Sequence, residues 1–328
     1  MARPADTRFR ILMVGATGTI GRATVRALVR HGHEVVCFVR RRPAADAPAL
    51  PDGVTLREGD VTDPASLARD GFRGERFDAV VSCMTSRTGA PRDAWAIDHQ
   101  AHLHLLAAAR DAGVTHFVLL SAICVQKPRL AFQHAKLAFE LALRDSGLIW
   151  SIVRPTAFFK SISGQVARVQ QGKPFLLFGD GTLTACKPIA DDDVAEYLAS
   201  CLDDPSRQHR VLPIGGPGEA LTLREQGELL FRLADKPPKF TQVPVALFDV
   251  IIAVLGTLGK LVPPLAAKAE FARIGRYYAT ESMLAWDAAA GRYDADATPS
   301  FGTRTLAEHY TRQLRGEVAD DRGEHAVF

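Results

Sequence analysis

Cysteine is scarce in this chain, and the way it is spaced excludes two kinds of site. The five cysteines among 328 residues are scattered, without a Cys-x-x-Cys pair or a Cys/His cluster. Neither a zinc site nor a cysteine-ligated iron–sulfur cluster is therefore supported, and we expect no metal site. Scattered cysteines are typical of free thiols in a reducing compartment, so we expect a cytoplasmic protein.

Long apolar runs and an excess of charge are also missing. No stretch reaches the roughly 18 apolar residues of a membrane span, and the short apolar run near the start turns directly into glycine, unlike a secretion signal. The most apolar segment, 243–267, contains charged residues and glycines. It either covers the core or lies on a membrane surface. A formal net charge of +3 gives no reason to expect a nucleic-acid partner.

The first half of the chain alternates short apolar runs with amphipathic segments. The apolar runs, each a predicted strand, lie at 9–14, 34–39, 54–57, 77–82, 115–120 and 150–153. Helical periodicity is found at 20–31, 94–112 and 130–145. Strands this apolar are buried on both faces, which favours a parallel sheet. The alternation predicts a Rossmann-type doubly wound α/β fold.

The alternation stops after residue 155. Turns rich in glycine and proline follow, with predicted helices at 192–202, 223–234 and 245–258. We predict a Rossmann domain at 1–155 and a smaller α+β substrate lobe at 156–316, intertwined as one compact unit. A charged tail follows at 317–328.

A glycine-rich loop lies between the first predicted strand and the first predicted helix. Glycines at this position let the backbone turn tightly and approach a pyrophosphate, which then lies at the helix N-terminus. Because the strand and the helix flank it correctly, the loop predicts a dinucleotide-binding site. The residues expected to bind are Gly15, Thr17, Gly18, Thr19, Ile20 and Gly21.

The ends of the later strands predict the rest of the cofactor site. Arg40 follows the second strand, where an arginine suits the 2′-phosphate of NADPH and an acidic residue would suit NADH. We therefore predict NADPH. Further cofactor contacts are expected from strand ends and the residues after them, at Asp60, Val61, Ser82, Met84, Pro155 and Thr156.

The chain has two candidate catalytic residues, a serine and a lysine. Ser121 follows the fifth strand, and Lys136 lies in the next helix. Typical short-chain dehydrogenases combine such a serine with Tyr-x-x-x-Lys, but here the residue four before Lys136 is Phe132. The phenol donor is missing, which argues against alcohol–ketone chemistry. Either the reaction needs no tyrosine, or the protein binds NADPH without turnover. We expect Lys136 to hold the nicotinamide ribose.

Several long motifs carry a specific resemblance. They include Ser121-Ala-Ile-Cys-Val-Gln-Lys-Pro128, Arg154-Pro-Thr-Ala-Phe-Phe-Lys-Ser161 and Phe271-Ala-Arg-Ile-Gly-Arg-Tyr-Tyr-Ala279. Over about 10–285 the chain resembles the NADPH-dependent divinyl chlorophyllide 8-vinyl reductases, which are NmrA-like atypical short-chain dehydrogenases. The resemblance implies reduction of the C8 vinyl group of a magnesium tetrapyrrole to ethyl in chlorophyll or bacteriochlorophyll synthesis. It also implies a possible place beside photosynthetic membranes.

This chemistry sets expectations for the substrate side. Phe158 and Phe159 are candidates to stack on the macrocycle, and Lys160 and Lys187 to bind its propionate. Cys124 is a further substrate contact. The proton source stays open among Lys136, Ser121, Cys124, the pair Tyr277 and Tyr278, and water. His134 is a weaker candidate for contact with the magnesium of the substrate.

Two other functions are compatible with the residues. An NADP(H)-binding sensor or assembly factor would use the same fold without turnover, and the missing tyrosine favours it. A reductase of another conjugated alkene would ignore chlorophyllides.

Overall fold

The computed structural model describes residues 8–40, 50–259 and 262–318. Within them lie thirteen strands: β1 Arg10–Val14, β2 Glu34–Val39, β3 Thr55–Glu58, β4 Ala79–Ser82, β5 His116–Leu120, β6 Ile149–Pro155, β7 Phe175–Phe178, β8 Ala185–Cys186, β9 Arg210–Ile214, β10 Leu221–Thr222, β11 Phe240–Val243, β12 Ala285–Asp287 and β13 Arg292–Asp294.

The same residues form twelve α-helices: α1 Thr19–Arg30, α2 Pro64–Ser66, α3 Pro91–Ala94, α4 His102–Asp111, α5 Ala131–Arg144, α6 Phe159–Ile162, α7 Val166–Gln170, α8 Asp191–Ser200, α9 Leu223–Leu233, α10 Ala246–Leu258, α11 Pro263–Thr280 and α12 Leu306–Leu314. Two π-helical stretches are also present. Leu67–Phe72 continues α2, and Trp95–Ala101 joins α3 to α4.

One parallel sheet organises the first half of the chain. Seven of the described strands pair in the order β3-β2-β1-β4-β5-β6-β9, and every pairing is parallel. Side chains alternate between its two faces. Those of Ile11 and Met13 belong to the core under α1 and α8. Those of Leu12 and Val14 belong to the core under α4 and α5. The predicted Rossmann-type doubly wound fold is confirmed.

The sheet draws strands from both sides of residue 155. Its seventh strand, β9, comes from the part of the chain predicted as the substrate lobe, and α8 packs on the same face as α1. Alternation along the sequence could not show this, because β9 reaches β6 only after an insertion that carries β7 and β8. Residues 319–328 of the predicted tail lie outside the described residues.

The smaller lobe consists of short sheets and helices. β7 pairs with β11 in parallel, β8 with β10 and β12 with β13 in antiparallel fashion. A separate core there includes Phe175, Phe231 and Tyr310. The chain enters the smaller lobe directly from the carboxyl end of β6, so the lobe begins at the edge of the sheet where the parallel strands end. Ligands of such folds bind at this edge.

Candidate cofactor and active site

Three glycines shape the turn between β1 and α1, each for a different steric reason. Gly15 has a φ of +77°, and a Cβ there would lie 2.5 Å from the carbonyl carbon of Cys83. A Cβ on Gly21 would lie 1.9 Å from the carbonyl oxygen of Gly15. At Gly18 the nearest atom would be that same oxygen, at 3.6 Å, so the space above it is open. A tight turn, an open approach and close helix packing are what a pyrophosphate site requires.

The amino end of α1 is available to a ligand. No side chain caps it at Gly18, so the first amide groups keep their capacity to donate hydrogen bonds. These amides and the helix dipole favour a phosphate. Thr17 is exposed and Thr19 half-buried at the rim of the loop, whereas the side chain of Ile20 packs in the core. The loop therefore fits a dinucleotide pyrophosphate.

Lys160 reaches this loop from the smaller lobe. Its ammonium group donates a hydrogen bond to the hydroxyl of Thr19. The sequence prediction placed Lys160 at the propionate of the substrate, but the structure places it at the cofactor loop. An ammonium group there suits the phosphates of the cofactor. The contact joins residues 141 positions apart, which no local pattern reveals.

Arg40 lies exposed at the end of β2, beside an open cavity of about 640 Å³. Asp60 lines the same cavity, but its carboxylate accepts hydrogen bonds from the hydroxyl and amide of Thr62. Those bonds, with a smaller contribution from the Arg40 charge, lower the pKa of Asp60. The Val61 side chain is buried. Arg40 is thus placed for a 2′-phosphate; Arg41 and Arg42 lie outside the described residues.

Ser82 and Met84 continue the site past the end of β4. Ser82 is fully buried, and its hydroxyl lies 2.9 Å from Nε2 of His102. Nδ1 of His102 lies 2.8 Å from the carbonyl oxygen of Ile97, so Nδ1 carries the proton and Nε2 accepts from Ser82. Burial, helped by the nearby Lys136 charge, lowers the pKa of His102 to about 4. Ser82 therefore anchors a neutral histidine, while the half-buried Met84 packs against the core under α4 and α5.

Lys136 is held by a carboxylate that the sequence prediction missed. Its ammonium group lies 2.9 Å from Oδ1 of Asp98. Asp98 is buried and also accepts a hydrogen bond of 2.8 Å from the Thr85 hydroxyl and longer ones from the Ser86 amide. Burial acts to raise the pKa of Asp98, but Lys136 and Ser86 outweigh it and the pKa lies below its usual value. The contact with Asp98 fixes the position of the Lys136 amino group.

Ser121 belongs to a second buried network. Its hydroxyl donates a hydrogen bond of 2.5 Å to Oε1 of Glu140. The guanidinium group of Arg154, at the end of β6, forms an ion pair with the same carboxylate. Ser121 and Lys136 lie around one narrow packing gap with Asp98 and His102. The two predicted catalytic residues are therefore neighbours, but the Ser121 proton is committed to Glu140.

Two of the remaining predicted residues, Thr156 and Lys187, bond to other parts of the smaller lobe. Thr156 is buried and donates a hydrogen bond to the backbone carbonyl of Lys187. Pro155 is the last residue of β6. The Lys187 ammonium donates to the carbonyl of Thr298 at 3.1 Å and lies 3.4 Å from the Ser300 hydroxyl. Lys187 therefore holds a later segment of the chain, which weakens its assignment to the propionate.

The two phenylalanines predicted to stack on the macrocycle have different surroundings. Phe159 is buried in the core of the smaller lobe, with its ring centroid 5.3 Å from that of His309. Phe158 is half-buried and bridges to Ile189. Phe159 packs as core in the smaller lobe, and the half-buried Phe158 packs against the core under α1 and α8. His134 is exposed on α5.

A helix that the sequence prediction missed covers the catalytic side. On α11, Ile274 and Tyr277 are buried in one cluster with Cys124, and Phe132 and Tyr278 pack against that cluster. The cluster brings the predicted substrate residue Cys124 next to the position where the family phenol is missing. The apolar and aromatic residues at 271, 274 and 278 follow a helical spacing, which was the available sign of this helix.

Comparison with known proteins fits this geometry. A family model described as NAD(P)H-binding matches residues 15–205. The maize divinyl chlorophyllide a 8-vinyl-reductase is 48% identical over 331 residues, which are 97% of this chain and 82% of that protein. The chain belongs to the divinyl chlorophyllide a 8-vinyl-reductase family. The family model confirms an NAD(P)H cofactor, in line with the predicted NADPH, and the relatives confirm the predicted class, an oxidoreductase acting on a CH–CH group.

Two other similarities are more distant. The photosystem II assembly factor Ycf39 of Synechocystis sp. is 29% identical over 243 residues, 72% of this chain and 71% of that protein. The structure of an Escherichia coli NADPH-dependent quinone oxidoreductase complexed with NADPH superposes with a TM-score of 0.65. It is 20% identical and covers 93% of this chain and 99% of that one, so it supports the fold alone.

Proposed function

We propose that this protein uses NADPH to reduce the C8 vinyl group of divinyl chlorophyllide or divinyl protochlorophyllide to ethyl. The observation that carries the proposal is the near full-length identity of 48% to a vinyl reductase. The site supports it independently, because Phe132 removes the phenol that a carbonyl reductase requires. Reduction of an alkene forms no alkoxide, so it needs no phenol beside a carbonyl oxygen.

The residues of the site divide the work between the two ends of the cofactor. The loop at Gly15, Gly18 and Gly21 would hold the pyrophosphate, with Lys160 beside it, and Arg40 would select NADPH through the 2′-phosphate. Lys136, fixed by Asp98, would hold the nicotinamide ribose. NADPH supplies the hydride when bound.

The test is an anaerobic incubation of the purified protein with NADPH and 3,8-divinyl chlorophyllide a, in dilute detergent. We expect a blue shift of the Soret band and a product that has gained two hydrogens by mass. A parallel reaction with divinyl protochlorophyllide a shows which of the two pigments the protein reduces faster. If NADPH binds but neither pigment changes, the reductase proposal is wrong, and an NADP(H)-binding assembly factor takes its place. Turnover of other conjugated alkenes alone would indicate another pathway.

A contact with a membrane surface is a second part of the proposal. No helix among the described residues is long and apolar enough to cross a membrane. Yet α10 has no buried residue. Its side chains Leu247, Val250, Val254 and Leu258, three or four positions apart on one face, are 47% to 60% exposed. Val262, at the start of the next helix, and Phe271 on that helix are each 46% exposed. We call these six residues the apolar patch.

Two cations accompany the apolar patch. Lys268 and Arg273 on α11 are exposed, and the Arg273 guanidinium group, which also pairs with Glu270, lies close to Gly256 of α10. Apolar side chains with cations at their border suit the interface of a membrane that contains anionic lipid. An oily substrate would also reach the active site from such a surface.

Flotation with vesicles tests the contact. We expect the protein to float with phosphatidylcholine vesicles that contain phosphatidylglycerol, and the Val250→Glu/Val254→Glu variant to lose most of its bound fraction. Leu141→Glu is the matched control, because Leu141 is 57% exposed on a different helix, α5. Wild-type protein that stays at the bottom, or an equal loss in the control, would contradict the contact.

A further inference from the structure

The covering helix α11 places a phenol near the position that Phe132 leaves without one. Tyr278 packs against the same cluster as Phe132, Cys124 and Ile274. The cluster also reaches the loop after β4, since a Cβ on Gly89 would lie 3.0 Å from Ile274 and 3.6 Å from Phe132. A phenol therefore enters this part of the site from α11 and not from α5.

The two adjacent tyrosines of α11 differ in what their hydroxyl groups do. The Tyr277 hydroxyl donates to the backbone carbonyl of Cys124 at 2.9 Å and lies 3.1 Å from that of Lys127. The Tyr278 hydroxyl has one hydrogen-bond partner among the described residues, the Cys124 sulfur at 3.9 Å. That distance is at the limit for a bond to sulfur, so the Tyr278 proton is not committed. Tyr277 fixes the loop after β5, and Tyr278 is free to donate.

The other candidate donors are engaged or less suitable. The Ser121 hydroxyl already donates to Glu140, and the Lys136 ammonium is paired with Asp98. Burial raises the pKa of Cys124, and burial with the nearby Cys124 holds the pKa of Tyr278 well above its ordinary value. The thiol and the phenol are therefore both protonated at neutral pH, and the phenol of Tyr278 is the stronger hydrogen-bond donor of the two.

The environment of Cys124 links this pair to Lys136. Gln133, three positions before Lys136 on α5, donates a hydrogen bond of 3.3 Å to the Cys124 carbonyl. The Lys136 charge also contributes to the pKa of the Cys124 thiol. Tyr278 thus lies on the side of α5 where the nicotinamide ribose would be held.

We propose that Tyr278 delivers the proton that completes reduction of the vinyl group. This rests on the proposed function. Hydride addition breaks the vinyl π bond, forms one C–H bond and leaves an electron pair spread over the conjugated macrocycle. The O–H bond of Tyr278 then breaks as a C–H bond forms at the other vinyl carbon. The phenolate recovers its proton from water, so NADPH and one water-derived proton balance the step.

The test compares Tyr278→Phe with Tyr277→Phe in the full chain. For Tyr278→Phe we expect a fall in kcat of roughly 10²–10³-fold, within the range of general acid catalysis. The Kd for NADPH, the Kd for the pigment and the melting temperature should stay near wild-type values. Tyr277→Phe should instead lower the melting temperature and change kcat by only a few fold, because it loses a buried hydrogen bond.

A third variant and a spectroscopic measurement separate the outcomes. Alkaline titration followed by phenolate absorbance should lose a late-titrating tyrosine in Tyr278→Phe, which reports on the group without turnover. If Tyr278→Phe retains kcat within about threefold while wild-type protein reduces the pigment, Tyr278 is not the donor. A loss confined to Cys124→Ala would move the role to the thiol and overturn the proposal. If wild-type protein reduces no pigment, the proposed function fails and this step fails with it.

Discussion

The ammonium group of Lys136 lies 2.9 Å from a carboxylate oxygen of Asp98, and both groups are buried. Removing one member of a buried ion pair leaves an uncompensated charge, which costs about 3–5 kcal/mol. A simple alanine substitution of Lys136 would therefore mix a loss of stability with any loss of cofactor binding.

A double substitution separates the two effects. We expect Lys136→Met to lower the free energy of unfolding by about 3–5 kcal/mol and to weaken NADPH binding. Adding Asp98→Asn should restore most of the stability, because the buried charge is gone, but not the affinity for NADPH. Urea unfolding and NADPH fluorescence titration measure the two quantities. Recovery of both would show that Lys136 has a purely structural role.

Alanine substitutions at two glycines of the cofactor loop should affect stability differently, although both should weaken NADPH binding. Gly18→Ala has room for its Cβ, so the melting temperature should hardly change, while the methyl group obstructs the pyrophosphate and the Kd for NADPH rises. Gly21→Ala places a Cβ 1.9 Å from a carbonyl oxygen, so both the melting temperature and the affinity should fall. Equal affinity of Gly18→Ala and wild type would place the pyrophosphate elsewhere.

Arg40 should determine how much more tightly the protein binds NADPH than NADH. A charge-assisted hydrogen bond contributes about 1.5–3 kcal/mol, so Arg40→Ala should weaken NADPH binding by roughly 10–100-fold. NADH has no 2′-phosphate, and its Kd should change little. Calorimetric titration with both cofactors gives the ratio. Arg224→Ala, which removes a cation on the other lobe, serves as the control. An equal loss for both cofactors would contradict the assignment.

The buried His116 should make the folded protein less stable in acid. Burial, with a contribution from His209, lowers the pKa of His116 to about 4, against roughly 6.5 in an unfolded chain. The unfolded state then binds the proton more readily, so stability that is present above pH 6.5 is lost as pH falls toward 4. Nε2 of His116 has no hydrogen-bond partner among the described residues, so phenylalanine can replace it.

The corresponding measurement is the free energy of unfolding between pH 7 and pH 4. His116→Phe should lose less stability over this range than wild type, by an amount on the order of 3 kcal/mol. His134→Gln is the control, because His134 is exposed. Parallel pH curves for wild type and His116→Phe would show that His116 does not titrate in this way.

Local patterns were sufficient for the parts of the fold that local contacts determine. The loop from Gly15 to Gly21, α1 and the six predicted strands depend on short-range periodicity and glycine geometry, and all are present within a few residues. The predicted helix at 94–112 is interrupted by the π-helical stretch Trp95–Ala101, which carries Asp98. Periodicity cannot show such a change of helical pitch.

The chemistry of the site depended on contacts between distant residues. Ser121 and Lys136 were predicted from their places after β5 and on α5, but their partners Glu140 and Asp98 were not. Lys160 was assigned to the substrate from its place beside Phe159, since its bond to Thr19 joins residues 141 positions apart and leaves no local pattern. Residue type and position gave the candidates, whereas the buried partners that decide each role came from tertiary packing.

The central claim, transfer of hydride from NADPH to the C8 vinyl group, is tested most directly by isotope tracing. The protein is incubated with 3,8-divinyl chlorophyllide a and NADPH that carries deuterium at both C4 positions, and the product is analysed by mass spectrometry and NMR. We predict one deuteron in the C8 ethyl group and one proton from water. A product without deuterium, or deuterium elsewhere on the macrocycle, would contradict this account.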